Sequence, residues 1–179
     1  MKPGGGKAKG NGFESQIAKK LTKALDPLTF IRTPGSGARL GGKNFETFSK
    51  MFGEEATKLF TGDVAVTNEK DVGLNFRFSI ECKSYKTPDG FTSMVNGTAN
   101  VFKWMDESVV DAQKINKTPL LVFKWNHTPV FVAMLESDNA GGWGRVDPKL
   151  TIQKEDGPAI DVFLLDDLLS NKAFWVRAI

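Results

Sequence analysis

Between Leu74 and Lys83 apolar and polar residues alternate. Leu74, Phe76, Phe78, Ile80 and Cys82 lie two apart, and Asn75, Arg77, Ser79, Glu81 and Lys83 fill the gaps. Side chains alternate faces along a strand, so this period predicts one strand with an apolar and a polar face. Glu81 and Lys83 then point the same way, with Cα atoms about 6–7 Å apart. Earlier in the chain the period changes. From Asn11 to Leu25 the residues Phe13, Ile17, Leu21, Ala24 and Leu25 recur at helical spacing, with Asn11 as N-cap and Pro27 just past the end. Glu14 falls inside that apolar arc, while Lys19 and Lys23 point away. A carboxylate on a buried helix face is costly unless it is paired or binds a cation. Glu14 therefore calls for a partner, and an exposed helix edge, a structural ion pair or a cation each answers that call.

The remaining pattern completes an α/β layout. Leu28 to Thr33 is a short β-rich run, and residues 34–42, PGSGARLGG, form a Gly-rich loop. Phe45, Phe48, Met51, Phe52, Ala56, Leu59 and Phe60 recur at mostly helical intervals broken by Gly53, which predicts two short helices over 44–60. The TGDVAV run predicts a strand with Asp63 at its start, and residues 68–73 turn the chain into the Leu74–Lys83 strand. Asp63 is thus placed on a strand paired with the one bearing Glu81 and Lys83. Residues 84–98 read as loop and residues 100–116 as a helix with Val101, Trp104, Met105, Val109 and Ala112 on one side. Two β-rich runs, 119–125 and 129–135, flank a turn of Asn126, His127 and Thr128. Residues 138–160 read as irregular with one strand, and a closing helix opens over 162–169. There is no internal repeat.

Length and composition fit one globular domain, taken as residues 11–179 behind a mobile basic arm of residues 1–10. The formal charge of +3 is unevenly spread. Residues 1–43 carry nine Lys or Arg against Glu14 and Asp26, a net +7, which leaves −4 for the remainder. Such polarity points to a polyanionic partner or to a solvated basic tail. Cys82 is the only cysteine, which excludes an intrachain disulfide and a cysteine-based zinc cluster. No apolar run suits a signal peptide or a membrane helix, so a soluble, cytoplasmic protein is expected.

Candidate chemistry centres on acids. His127, the only histidine, sits in a turn and reads as a surface residue. The 34–42 loop carries Ser36 and Arg39, with Arg32 before it and Lys43 after. Gly-rich backbone and flanking cations suit phosphate contact, although the spacing matches no P-loop and an ordinary surface loop fits equally.

Four elements in order, Gly10-Asn-Gly-Phe-Glu14, Arg32-Thr-Pro-Gly-Ser-Gly37, Gly62-Asp-Val64 and Ile80-Glu-Cys-Lys83, resemble the PD-(D/E)XK nuclease superfamily. Within it they resemble the archaeal-type Holliday junction resolvases that phages also carry, over about residues 10–135. The resemblance implies a restriction-endonuclease-like mixed β-sheet flanked by helices, acting as a metal-dependent DNA endonuclease on four-way junctions. The alternatives are a nuclease for other branched or duplex DNA and a non-catalytic DNA-binding module. Glu14, Asp63 and Glu81 would bind Mg²⁺, with Mn²⁺ substituting, and Lys83 would orient or deprotonate the attacking water. Oxygen ligands without His or Cys suit that hard ion. Lys7, Lys9, Arg32, Ser36, Arg39, Lys43, Lys86 and Gln113 are the expected DNA contacts. Two departures stand out. Gly62 replaces the usual proline before the aspartate, and the 41–61 and 87–100 segments are longer than their counterparts. Because a junction has two-fold symmetry and the chain has one acid set, a homodimer is expected, with Phe91, Met94 and Val95 or Phe45, Phe48 and Phe52 as interface candidates.

Overall fold

The computed structural model describes residues 5–33, 50, 61–140 and 145–178. Helix α1 spans Gly5–Ala24. Strand β1 (Phe30–Arg32) follows, and β2 (Val64–Val66), α2 (Glu69–Val72), β3 (Leu74–Phe76) and β4 (Phe78–Tyr85) come next. Beyond them lie α3 (Phe91–Val95), α4 (Asn100–Gln113), β5 (Thr118–Trp125), β6 (Phe131–Leu135) and α5 (Glu136–Ala140). The chain closes with β7 (Leu150–Gln153), β8 (Ala159–Leu164), α6 (Leu165–Leu169), α7 (Lys172–Trp175) and β9 (Val176–Ala178).

Among the described residues seven strands form one sheet in the order β1-β2-β4-β5-β6-β8-β7. Among these described strands β4 and β5 run parallel and the other neighbours antiparallel. Parallel neighbours need a crossover, and the segment carrying α3 and α4 supplies it. The two faces of the sheet then acquire separate cores. Phe13, Ile17, Leu21 and Leu25 pack with Phe78, Ile80, Leu120 and Val122 on one face. Val101, Trp104 and Met105 of α4 pack with Leu121, Phe123 and Trp125 on the other. The period of two along β4 and β5 sorts even-numbered residues toward α1 and odd-numbered ones toward α4. Glu81 and Lys83 consequently share the α4 face.

The structure departs from the sequence reading at five places. The helix begins at Gly5 rather than Asn11. The single strand expected over 74–83 is broken at Arg77. Leu74–Phe76 pairs with β9 in a separate two-stranded sheet, and only Phe78 onward joins the main sheet. Arg77 is the cause. It is 7% exposed, its guanidinium lies 4.6 Å from the Phe78 ring centroid, and its Nη2 donates to Asp138 O at 2.9 Å. Residues 162–164 belong to strand β8, so the closing helix starts only at Leu165. The region read as one strand holds two, β7 and the start of β8, around Asp161, which is fully buried. Its carboxylate accepts from Asn139 Nδ2 at 2.7 Å and from Thr151 Oγ1 at 2.6 Å. The segments expected as turn and loop carry the short helices α2 and α3. The Gly-rich loop, the two helices placed over 44–60 and the longer 41–61 connection lie outside the described residues, except Lys50 and Thr61. No described helix is long and apolar enough to cross a membrane.

Candidate active site

Asp63 enters the site through strand pairing. Val64 lies opposite Ile80, and Asp63 N donates to Ile80 O at 2.7 Å. On its other side Asp63 O accepts from Thr33 N at 2.9 Å. The residue is 6% exposed, and its Oδ2 accepts from Cys82 N at 2.8 Å. That bond fixes the carboxylate beside the backbone between Glu81 and Lys83. The chain makes this approach with a glycine. Gly62 has φ +79°, and a Cβ there would stand 2.7 Å from Ile80 O. No ordinary side chain fits, so Gly62 sets how closely the Asp63 segment lies on β4.

Glu81 and Lys83 are placed as the strand period predicts. Lys83 Nζ lies 2.8 Å from Glu81 Oε1, and each side chain is 21% exposed. Across the gap to α4, Lys83 Nζ is 3.5 Å from Glu107 Oε2, and Lys103 Nζ is 3.9 Å from the other Glu107 oxygen. Burial first, and the neighbouring Asp63 carboxylate second, push the Glu81 carboxyl up to about 7 against the pull of Lys83. Burial alone would lower Lys83, but Glu81, Glu107 and Asp63 outweigh it and hold the ammonium above its ordinary value. Glu81 is therefore a carboxyl that burial makes harder to ionise despite its Lys83 partner, and Lys83 is held cationic.

Glu14 has a partner. Arg32 Nε donates to its Oε2 at 2.7 Å, and Arg32 Nη2 donates to Asn11 Oδ1 at 2.8 Å. The ion pair is thus the answer the structure gives to the apolar-face carboxylate. Burial still raises the Glu14 pKa, with the Arg32 bond opposing and Asp63 adding to the rise. Among the described residues no group of three or more His, Cys, Asp or Glu is placed to hold a metal ion. The reason lies in the pairing: Glu14 is turned to Arg32 and Glu81 to Lys83. The donors themselves, carboxylate oxygens with Asp63 adding to the rise at both Glu14 and Glu81, suit a hard divalent cation.

Of the expected DNA contacts, Lys9 reaches the end of β4, donating to Asn126 Oδ1 at 2.7 Å and Tyr85 O at 3.4 Å. Lys7 falls in α1, and Lys86 is exposed just past β4. Gln113 is not brought to the acids. It is exposed and lines a different cleft with Asn75, Arg77, Lys117 and Asp138. Ser36, Arg39 and Lys43 lie outside the described residues. Sequence reasoning missed Glu107 and Asp111, which adds to the rise at Glu81. Their spacing of four on α4 puts both on one helix face, but nothing in the sequence says that this face meets β4.

Residues 5–163 match the family described as "Phage putative PDDEXK endonuclease". The chain belongs to this family. The PDDEXK assignment agrees with the motif order, and the mixed sheet flanked by helices is the restriction-endonuclease-like fold expected of it. The structure is also similar to that of Archaeoglobus fulgidus Hjc, a Holliday junction resolvase from an archaeal hyperthermophile. The two are 15% identical over 89% of this chain and 99% of that one, with a TM-score of 0.44. No curated protein matches the chain.

Proposed function

We propose that this PDDEXK endonuclease is a Mg²⁺-dependent, structure-selective enzyme that cuts DNA four-way junctions as a homodimer. The observation that carries the catalytic reading is the meeting of Asp63, Glu81 and Lys83 across the β2–β4 pair, in a chain of an endonuclease family. Asp63, Glu81 and Glu14 would hold the ion, for which Mn²⁺ substitutes. A divalent ion bound there supplies a lowered pKa for water and neutralises charge developing on the phosphate. Lys83, kept protonated by Glu81 and Glu107, orients the attacking water or a phosphate oxygen by donating to it. The preference for junctions rests on the order of the four sequence elements. The assembly rests on symmetry, together with Phe91 and Val95 of α3, which are 85% and 64% exposed.

Incubation with a synthetic junction, a linear duplex and a flap, with and without Mg²⁺, tests the proposal. Paired nicks in the junction only with the ion present are the expected result. Equal cutting of all three substrates would overturn the junction preference, and cutting without any divalent ion would overturn the metal role.

A further inference from the structure

Among the described residues, some lysines are neutralised by a carboxylate and others are not. Lys20, Lys83, Lys103, Lys114, Lys117, Lys149 and Lys154 each lie against a carboxylate. Lys9 and Lys124 do not. Lys9 donates to an amide oxygen and a backbone carbonyl, while Lys124 Nζ lies 3.5 Å from Gln16 Oε1 and 4.8 Å from the Phe13 ring centroid. These neutral partners orient the two ammonium groups without cancelling their charge. Both line one cleft of about 500 Å³ between α1 and the β5–β6 turn, and no carboxylate is among the described residues lining it. The cleft also receives Ser84, whose buried Oγ has no hydrogen-bond partner among the described residues. A buried hydroxyl without a partner is an unused donor.

We infer that this cleft is a second contact for the nucleic-acid strand, in which Lys9, Lys124 and Ser84 bind backbone phosphate beside the cutting site. The choice of DNA as the ligand rests on the nuclease reading. Ser84 directly follows Lys83 on β4 and points to the α1 face while Lys83 points to α4. A strand passing the end of β4 therefore meets the acids on one side and this cleft on the other. Ser84 is the chain neighbour of Lys83, and successive phosphates of one strand are about 3.4 Å apart along a duplex, so one strand can touch both. Uncompensated Lys side chains in a polar cleft suit phosphate because binding releases condensed counterions, and that makes the contact measurable by salt.

The measurement is binding of a labelled linear duplex to metal-free protein, by fluorescence anisotropy over a series of salt concentrations. Lys9→Gln and Lys124→Gln should each flatten the dependence of log affinity on log salt by about 0.9. Lys124→Arg should keep the wild-type slope, because it keeps the charge. Lys20→Gln, whose ammonium is already paired with Asp166, should also leave the slope unchanged. Gln replaces the head group while leaving most of the apolar stem, so melting temperatures should stay at the wild-type value. Folded Gln variants with an unchanged slope would overturn the inference, as would a wild type with no slope. Because cleavage is read separately, a wild type that binds through the cleft but cuts nothing sinks the nuclease reading alone. One that cuts, with both slopes unaltered, sinks only the cleft.

Discussion

The Asp63 carboxylate is tied to the backbone amide of Cys82, at 2.8 Å, so it is held beside the Glu81–Cys82 peptide. Its position does not depend on a mobile side chain of β4. Asp63→Asn retains an oxygen to accept from that amide, so it should fold and lose only charge. Asp63→Asn, Glu81→Gln and Lys83→Ala are each expected to lower cleavage by at least about a hundredfold at an unchanged melting temperature. Near wild-type cutting by any two, followed on a labelled junction, would contradict the assignment.

Glu81 links the site to pH. Its folded pKa of about 7 lies above the ordinary carboxylate value, so the folded protein holds a proton that the unfolded chain has released. Stability of the metal-free protein should therefore fall as pH rises from about 4.5 to about 7 and level off above that. In Glu81→Gln this component is absent. The melting temperature of the variant relative to wild type should climb between pH 5 and pH 7.5, and a flat difference would refute the shift.

At the α1 end, the Glu14–Arg32 pair changes what mutation is expected to do. An unpaired Glu14 would have made Glu14→Gln neutral or stabilising. Paired at 2.7 Å and only 12% exposed, Glu14 loses its partner in Arg32→Met and is left next to Asp63. That variant should lose about 1–3 kcal/mol in urea unfolding. Glu14→Gln, which keeps an acceptor for Arg32, should lose less, and the double variant should show non-additivity.

Assembly is tested at α3. If Phe91 and Val95 meet their symmetry mates, sedimentation at micromolar concentration should give a dimer, and Phe91→Asp should give a monomer near 20 kDa. A wild-type monomer both free and junction-bound would remove the paired-nick mechanism.

Where local pattern and tertiary contact agree, the fold could be read in advance. Phe13, Ile17 and Leu21 are buried as their spacing requires, and the 119–125 and 129–135 runs form the β5–β6 hairpin around His127. Glu81 and Lys83 share a face because period two survives through β4. The pattern failed where a partner distant in sequence decides. Arg77 sits in phase with Glu81 by alternation, yet it is buried against Phe78 and Phe174, residues 1 and 97 positions away, and there the strand breaks. Glu14 and Arg32 lie 18 positions apart, and only the α1–β1 packing makes them a pair. The strands β7 and β8 are hidden in the sequence because the partners of Asp161, Asn139 and Thr151, reach it from the polar 138–160 segment.

Gly62 has a consequence for recognising such chains. Proline holds φ near −65°, whereas this residue sits at +79° with Ile80 O where a Cβ would go. Here the dipeptide before the valine is glycine-aspartate by steric necessity, and restoring the consensus proline would push the acid away from Cys82. A pattern search that insists on Pro-Asp would discard this chain while its aspartate stands in place. The surer signature is spatial: an acid whose side chain caps the amide between the Glu and the Lys of the neighbouring strand.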